Sequence, residues 1–428
     1  MQTKDSATQM RPPARPGRGG NRLRNLAAVC LTAFAIGFVG YFSYVTYQLT
    51  RAETPGQSTP NDISVFWAAA RIALDGPPAN AFDLAKLEAA RDLPAWVPES
   101  GRRMAWSYPP QFHALILPLG LMSFNLAWVV FALAGVAAFW IGLGRLVPGT
   151  VIPIIAVASP AVLMCAIQGQ SSLLVAALLA GFLACLGRGR QVLAGVLLGL
   201  LTIKPQVGPL LPLVLIACGA WRVIGWAVVT SLVILVLTLA WAGPGYWVAF
   251  FEGISDSADR LEAGWLPRYL MINWYAFGIA TGLANGPAHA LQLGVTAAIA
   301  AAVFWAWRRP QAPFALKAAV LTLAIPLASP YAYFYDLVLP MIGVALMLGL
   351  RRPRDYLGAA TLAVLWASPT LGHFGREFGI DQAFALLTPP ILSAALLLLL
   401  WKIAAAHQPA PAPPPAPPPA PPPAPPPA

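Results

Sequence analysis

Apolar runs of helix length follow one another along almost the whole chain. The first, Leu26 to Leu49, passes without a charged residue. Only about 20 helical residues are needed to cross the ~30 Å hydrocarbon core of a bilayer. Further runs predict spans at 125–144, 151–167, 171–187, 191–203, 206–218, 223–242, 288–307, 314–329, 331–350, 357–371 and 383–401. With the first, that makes about twelve transmembrane helices. None of the runs alternates with period two, as the strands of a membrane barrel would. The expected fold class is therefore an all-α polytopic membrane protein.

Two stretches break the apolar pattern. In 50–124, Ile63, Phe66, Trp67, Ala70 and Leu74 recur at helical spacing while Arg71 and Asp75 fall elsewhere, and Gly76-Pro77-Pro78 stops the helix. A short amphipathic helix with Trp and Phe on its apolar face belongs in the membrane interface. The apolar piece Tyr108–Phe124 is also read as interfacial, because a span there would put Arg145, Arg188 and Arg190 out of step. The second interruption, 243–287, reads as one large loop with a partly apolar piece at Met271–Leu283.

Charge then sets the orientation. Lys4, Arg11, Arg15, Arg18, Arg22 and Arg24 face a single acid, Asp5, before the first run, so the N-terminus is expected in the cytoplasm. The same rule puts Arg145, Arg188, Arg190, Arg222, Arg308, Arg309, Lys317, Arg351, Arg352, Arg354 and Lys402 inside. Of the acids, only Asp5 and Asp355 join them. The remaining acids fall outside, which implies that the outer face does the polar work. The expected location is a plasma membrane, multi-pass, with both termini cytoplasmic.

Composition agrees: 58% of residues are hydrophobic and 10% charged, and the mean hydropathy is +0.66. The net charge of +11 comes from basic residues that bracket apolar runs, so no nucleic-acid partner is expected. Cys30, Cys165, Cys185 and Cys218 lie within apolar segments and read as packing residues. The first run is too long for a signal-peptide core and no small-residue cleavage site follows it, so it is expected to stay as a span. The organisation expected is a basic segment at 1–25, a polytopic domain at 26–402 and a Pro/Ala-rich cytoplasmic tail at 403–428. The tail favours polyproline II and serves as a spacer or as a ligand for a proline-recognising partner.

Asp62 is the first candidate for chemistry. It stands at the start of the amphipathic helix, where a carboxylate caps the first turn or acts as a general base at the membrane surface. The two roles are compatible.

With "DISVFWAAARIAL" after the first span and "YPP" before the second, the chain resembles the C-type integral-membrane glycosyltransferases. Within them it is similar to glycosyltransferase family 87, the polyprenol-phosphate-mannose-dependent α-mannosyltransferase-like proteins. Three more stretches carry the likeness: "GQSSLLVAALLAGFL" from Gly169, "LAGVLLGLLTIKPQ" from Leu193 and "SPYAYFYDLVLP" from Ser329. The resemblance implies transfer of a sugar, mannose in this branch, from a polyprenyl-phosphate donor to a hydroxyl of a lipid or glycan acceptor. Transfer would occur on the outer side with inversion, and Asp62 would be the base. It implies no cofactor. Some relatives carry histidine near Tyr331, Tyr333, Tyr335 and Asp336, so a histidine role there is not carried over.

Lys204 fits that picture. Gln191 to Cys218 is apolar on both sides of Lys204-Pro205-Gln206, and Arg190 and Arg222 bracket it on one side of the membrane. Each limb spans about 20 Å as helix, short of the ~30 Å core, so the tip lies below the outer surface. An intramembrane lysine at a helix break marks a binding site, and the lipid phosphate is its natural partner. The alternative is that Lys204 snorkels or pairs with a structural acid. Asp336 is the matching acid: it contacts the sugar or acceptor, or pairs with Lys204. The donor or acceptor groove is expected to include Asn61, Tyr108, Pro109, Pro110, Gln170, Gln206, Tyr331, Tyr335 and Asp336. Glu252, Asp256, Asp259, Arg260, Glu262 and Arg268 read as a solvated face of the second loop, the alternative being that they shape the acceptor site.

His113, His289, His373 and His407 are scattered, and no metal site is expected. No Gly-rich phosphate loop points to a nucleotide donor. The rival function is a transporter or flippase of lipid-linked sugars, for which a second copy of the "KPQ" hairpin would be expected; none is found.

Overall fold

A computed structural model describes residues 18–51, 61–91, 104–264, 266–350 and 356–405. The basic segment before residue 18, the Pro/Ala tail from 406, and Arg351, Arg352, Arg354 and Asp355 lie outside the described residues. So do 52–60 and 92–103 of the first polar stretch.

The described chain is helical. In order come α1 (Arg18–Arg51), α2 (Asn61–Asp75), α3 (Leu84–Arg91), α4 (Pro110–Ile116), α5 (Phe124–Leu146) and α6 (Val151–Val157). They are followed by α7 (Pro160–Gln168), α8 (Ser172–Gly187), α9 (Gln191–Leu200), α10 (Leu210–Ala217), α11 (Trp221–Ala242) and α12 (Pro244–Glu262). The last six are α13 (Trp274–Ala280), α14 (Asn285–Trp307), α15 (Phe314–Ala328), α16 (Val338–Leu350), α17 (Tyr356–Glu377) and α18 (Ala383–Ala405). No strand forms among the described residues; an isolated antiparallel bridge joins Met271 and Tyr333.

Among the described residues, α5, α11, α14 and α18 are long and apolar enough to cross a membrane. The pair α6 and α7, bent by 53°, brings these spans to five if it is counted as one. Most of the other expected spans fall in shorter apolar helices, and 357–371 falls in the longer α17, so length and composition support four or five spans among the described residues, not the twelve expected. The break in 151–167 has a local cause: Ser159 accepts the Val162 amide at 3.4 Å and Pro160 occupies the first turn, two helix-start signals in mid-run. The expected span at 331–350 starts as helix only at Phe334, because Ser329-Pro330 and the following residues are not helical.

The hairpin around Lys204 forms as two short limbs. After α9 the chain tightens into a 3₁₀ turn at Leu201–Ile203, passes Lys204 at φ −139° and ψ 77°, and turns again at Pro205–Val207 before α10. Pro205 and Pro209 each withhold an amide there, so no continuous helix can run through.

The pattern of α2 marks one buried face, and the structure buries more. Ile63, Phe66 and Ala70 are covered, but so are Val65, Ala68 and Ala69, while Leu74 is exposed. The cause is α3, α4 and the 3₁₀ turn Leu117–Leu121, which wrap the helix together with parts of α5 and α7. Gly120 allows that wrapping: a Cβ there would stand 2.9 Å from the Ala70 backbone. The core is otherwise continuous through α5, α8, α15 and α16.

Candidate active site

Five chain segments bring their polar groups to one place: the first turn of α2, the stretch before α4, the turn between α7 and α8, the hairpin tip, and the turn before α16. Asp62 belongs to the first turn of α2, half-buried at the edge of the core. It is not the residue before the helix, so capping alone does not account for its position. The α7 helix ends on Gly169 in the left-handed conformation, φ 65°. A Cβ on Gly169 would come within 2.5 Å of Ile63 Cβ, so glycine lets this turn close on α2.

That closure delivers Gln170. Its Oε1 accepts the Tyr108 hydroxyl at 3.1 Å and the Ser171 amide at 3.1 Å. With the oxygen so engaged, the amide nitrogen is the end that donates to the Asp62 carboxylate. Burial is the chief influence on Asp62 and pushes its pKa up to about 6. The Gln170 bond and the positive charges of Lys204 and Arg91 oppose that rise, and Asp336 adds to it. Tyr108 is pushed up as well, by burial and by the charge on Asp62, and keeps its proton as a donor.

Lys204 is buried at the hairpin tip and paired. Its Nζ donates to Asp336 Oδ1 at 2.5 Å and to Ser172 Oγ at 2.7 Å, and Ser172 Oγ lies 2.6 Å from the same carboxylate oxygen. The Tyr335 ring centroid lies 5.1 Å from Nζ. The second oxygen of Asp336 accepts the Tyr333 amide at 3.1 Å and closes the turn Phe334–Leu337. Of the two readings for Asp336, pairing with Lys204 is therefore the arrangement present, and both of its oxygens are engaged.

Asp62, Tyr108, Gln170, Lys204, Tyr335 and Asp336 thus share one cluster. The other expected groove residues do not contact it in the same way. Pro109 and Pro110 are buried and start α4, which fixes the backbone after Tyr108. Gln206 is half-buried one turn past Lys204 and makes no hydrogen bond to the cluster among the described residues. Tyr331 packs on the separate group around Leu261, Met271 and Tyr275. Asn61 opens α2, but its side chain lies outside the described residues.

Three contributors escaped the sequence reading as site residues. Ser172 bridges Lys204 and Asp336. Tyr333 stacks on Tyr335 with ring centroids 5.6 Å apart. Arg91 is buried on α3, donates to Ser64 Oγ at 3.0 Å and acts electrostatically on Asp62. The first two sat in noted stretches, "GQSS" and "AYFYD". Arg91 lies outside every apolar run, and nothing in its spacing pointed to burial. In the second loop, Arg260 and Asp256 pair at 3.9 Å on the surface of α12. No group of three or more metal-ligating side chains forms among the described residues.

A family model described as glycosyltransferase family 87 matches residues 106–330 of the 428. The chain belongs to glycosyltransferase family 87. The match takes in Tyr108, Gln170, Ser172 and Lys204, while Asp62 and Asp336 lie on either side of it. No curated protein matches the chain. As a family 87 member it is a glycosyltransferase, with a sugar donor and an acceptor as its substrates, and the transporter reading gives way. Its several apolar helices fit a multi-pass membrane protein.

Proposed function

We propose that this glycosyltransferase moves mannose from a polyprenyl-phosphate donor to a hydroxyl on a lipid or glycan acceptor, at the outer face of a plasma membrane and with inversion. Asp62 is the general base. One observation carries the reading: a half-buried carboxylate with its pKa near 6 is held by Gln170 beside Lys204 and Arg91. A base of that strength is mostly ionised at neutral pH and still takes a proton from a hydroxyl as that hydroxyl attacks.

The acceptor O–H gives its proton to Asp62 as its oxygen bonds the sugar's C1. The bond from C1 to the phosphate oxygen breaks on the opposite side, and the electron pair leaves with the lipid phosphate. Charge gathers on that phosphate as the bond lengthens, so a cation there lowers the barrier and does more than bind. Lys204 supplies it, with Ser172 and Asp336 holding the ammonium in place. The half-buried rings of Tyr333 and Tyr335 are the surface offered to the sugar: Tyr335 lies beside Lys204, and both stand within the field of Asp62. The polarity of the helices supports the outer-face placement. α8 runs from Ser172 in the cluster towards Arg188, α9 from Arg190 towards Lys204, and α16 away from Asp336.

The experiment is transfer of label from polyprenyl-phosphate-mannose into membrane extracts, with wild type, Asp62→Asn and Asp62→Ala. Both variants are expected to insert normally and to lose about 100-fold or more of the rate, the usual scale of a general base. Near-normal transfer by Asp62→Asn would remove Asp62 from the chemistry.

A further inference from the structure

A set of buried polar groups takes no part in the chemistry above, yet it ends at the base. Tyr246 lies on α12 and is wholly buried, as are Trp106 and His113. Its hydroxyl meets three partners: Trp106 Nε1 at 2.7 Å, His113 Nδ1 at 3.0 Å and the Tyr108 carbonyl at 3.2 Å. The other ring nitrogen of His113, Nε2, lies 2.8 Å from the Ala69 carbonyl, within α2.

The protons can be assigned. A carbonyl only accepts, so Nε2 carries a hydrogen. Burial holds the His113 pKa down to about 4, so the ring is neutral and Nδ1 accepts. The Tyr246 hydroxyl therefore receives the Trp106 N–H and directs its own proton between Nδ1 and the Tyr108 carbonyl. Apolar packing alone would hold α12 in place with a phenylalanine here. The three polar partners do something else: they fix one oxygen in space.

That oxygen touches both supports of Asp62. Through His113 it reaches Ala69, two turns along the helix that carries the base. Through the Tyr108 backbone it sets the residue whose hydroxyl donates to Gln170, which in turn holds the carboxylate.

We propose that Tyr246 is a positioning residue for glycosyl transfer, fixing the Tyr108 hydroxyl, and with it Gln170, against Asp62 by way of Trp106, His113 and the Tyr108 backbone. The proposal rests on the reading of Asp62 as the base. The charges that act on Asp62 are Lys204, Arg91 and Asp336, and the neutral hydroxyls of Tyr108, Tyr333 and Tyr335 lie within its field. Tyr246→Phe alters none of these charges. It removes one oxygen and keeps the ring.

The test reads Tyr246→Phe in the full-length protein in lipid vesicles, in two ways. The first is the pH at which Asp62 is half-labelled by dicyclohexylcarbodiimide, a reagent for protonated buried carboxyls, with the site located by peptide mass. That midpoint reports on Asp62 whatever its role. The second is kcat and donor KM with polyprenyl-phosphate-mannose. A looser Gln170 favours the ionised carboxylate less, so the midpoint moves up by about half a pH unit or more. Over the same change kcat falls roughly tenfold while KM stays within about twofold.

Tyr108→Phe is expected to give the same shift, and the double variant no more than either single one. An unchanged midpoint in Tyr246→Phe overturns the proposal, whatever transfer does, and so do fully additive shifts. A raised midpoint with no matching shift in the acid limb of kcat keeps the hold of Tyr246 on Asp62 and overturns Asp62 as the base. Should Tyr246→Phe fail to insert, Trp106→Phe, which withdraws the donor to Tyr246 together with part of a buried ring, is read by the same midpoint.

Discussion

Asp62 is held between two opposing influences. Burial favours its neutral form, while Gln170, Lys204 and Arg91 favour its charge, and burial wins by enough to bring the pKa to about 6. In the proposed role of base Asp62 works only when ionised, so kcat is expected to rise through about pH 6 and level off above it. The consequence for stability has the opposite sign. A carboxyl whose folded pKa exceeds its unfolded value takes up protons on folding, so this residue's contribution falls as pH rises from about 4 to about 6. Asp62→Asn removes that penalty. At pH 7 it is expected to melt no lower than wild type, with a gain of up to about 1–3 kcal/mol, while transfer is lost. A thermal melt beside a transfer assay checks both, and a variant that melts several degrees lower would show that the carboxylate supports the fold.

Lys204 and Asp336 obey a different rule, because they are buried as a pair. Removing either partner leaves a charge without its counter-ion, which costs about 3–5 kcal/mol. Lys204→Gln and Asp336→Asn are each expected to lower the melting temperature markedly. The double variant is expected to recover much of that loss and, on the proposed role of Lys204 at the leaving phosphate, none of the activity. Recovery of transfer in the double variant would argue that the pair is structural alone.

The elements around the site are short and interrupted, and the interruptions are what gather it. Gly169 ends α7 with a positive φ and stands against Ile63, the neighbour of Asp62. A methyl group there has no room and strains the backbone. Gly169→Ala is expected to destabilise by about 1–3 kcal/mol and to displace Gln170 from Asp62. The readouts are a lower melting temperature and an acid limb of kcat shifted to higher pH, since the Gln170 bond lowers the Asp62 pKa. The hairpin tip follows the same logic: two 3₁₀ turns flank Lys204 because proline breaks the ladder, and the break leaves the ammonium free to point sideways at Asp336 and Ser172.

For the whole molecule the question is polarity. The cluster sits at one end of α8, α9 and α16, and the arginines at 188 and 190 stand at the other end of α8 and α9. Single cysteines in a background lacking the four native ones test the orientation proposed from this arrangement. Asp256→Cys on α12 is expected to react with a membrane-impermeant maleimide in intact cells, and Arg190→Cys only after the membrane is opened; both positions are exposed. The reverse pattern would place the site on the cytoplasmic side.

The membrane class, the helix at 61–75 and the hairpin tip at Lys204 were readable from residue order, and so were Asp62 and Asp336 as charges out of keeping with their surroundings. Each rests on a local property: length of an apolar run, helical spacing, or a charge where none should be. The count of spans was not readable, because Ser159-Pro160 and the residues around Pro330 break apolar runs that a hydropathy window passes over. The pairing of Lys204 with Asp336 was one of two readings open in the sequence; Ser172 as their bridge was not readable, and the three come from positions 132 and 164 residues apart. Arg91 acting on Asp62 and Tyr246 behind Tyr108 were not readable either. Sequence determines where a helix can form and which side chains are too polar for their surroundings. Which of those side chains meet, and so which charges cancel and which remain available to a substrate, is decided only when turns at Gly169, Lys204 and Pro330 bring distant helix ends to one point.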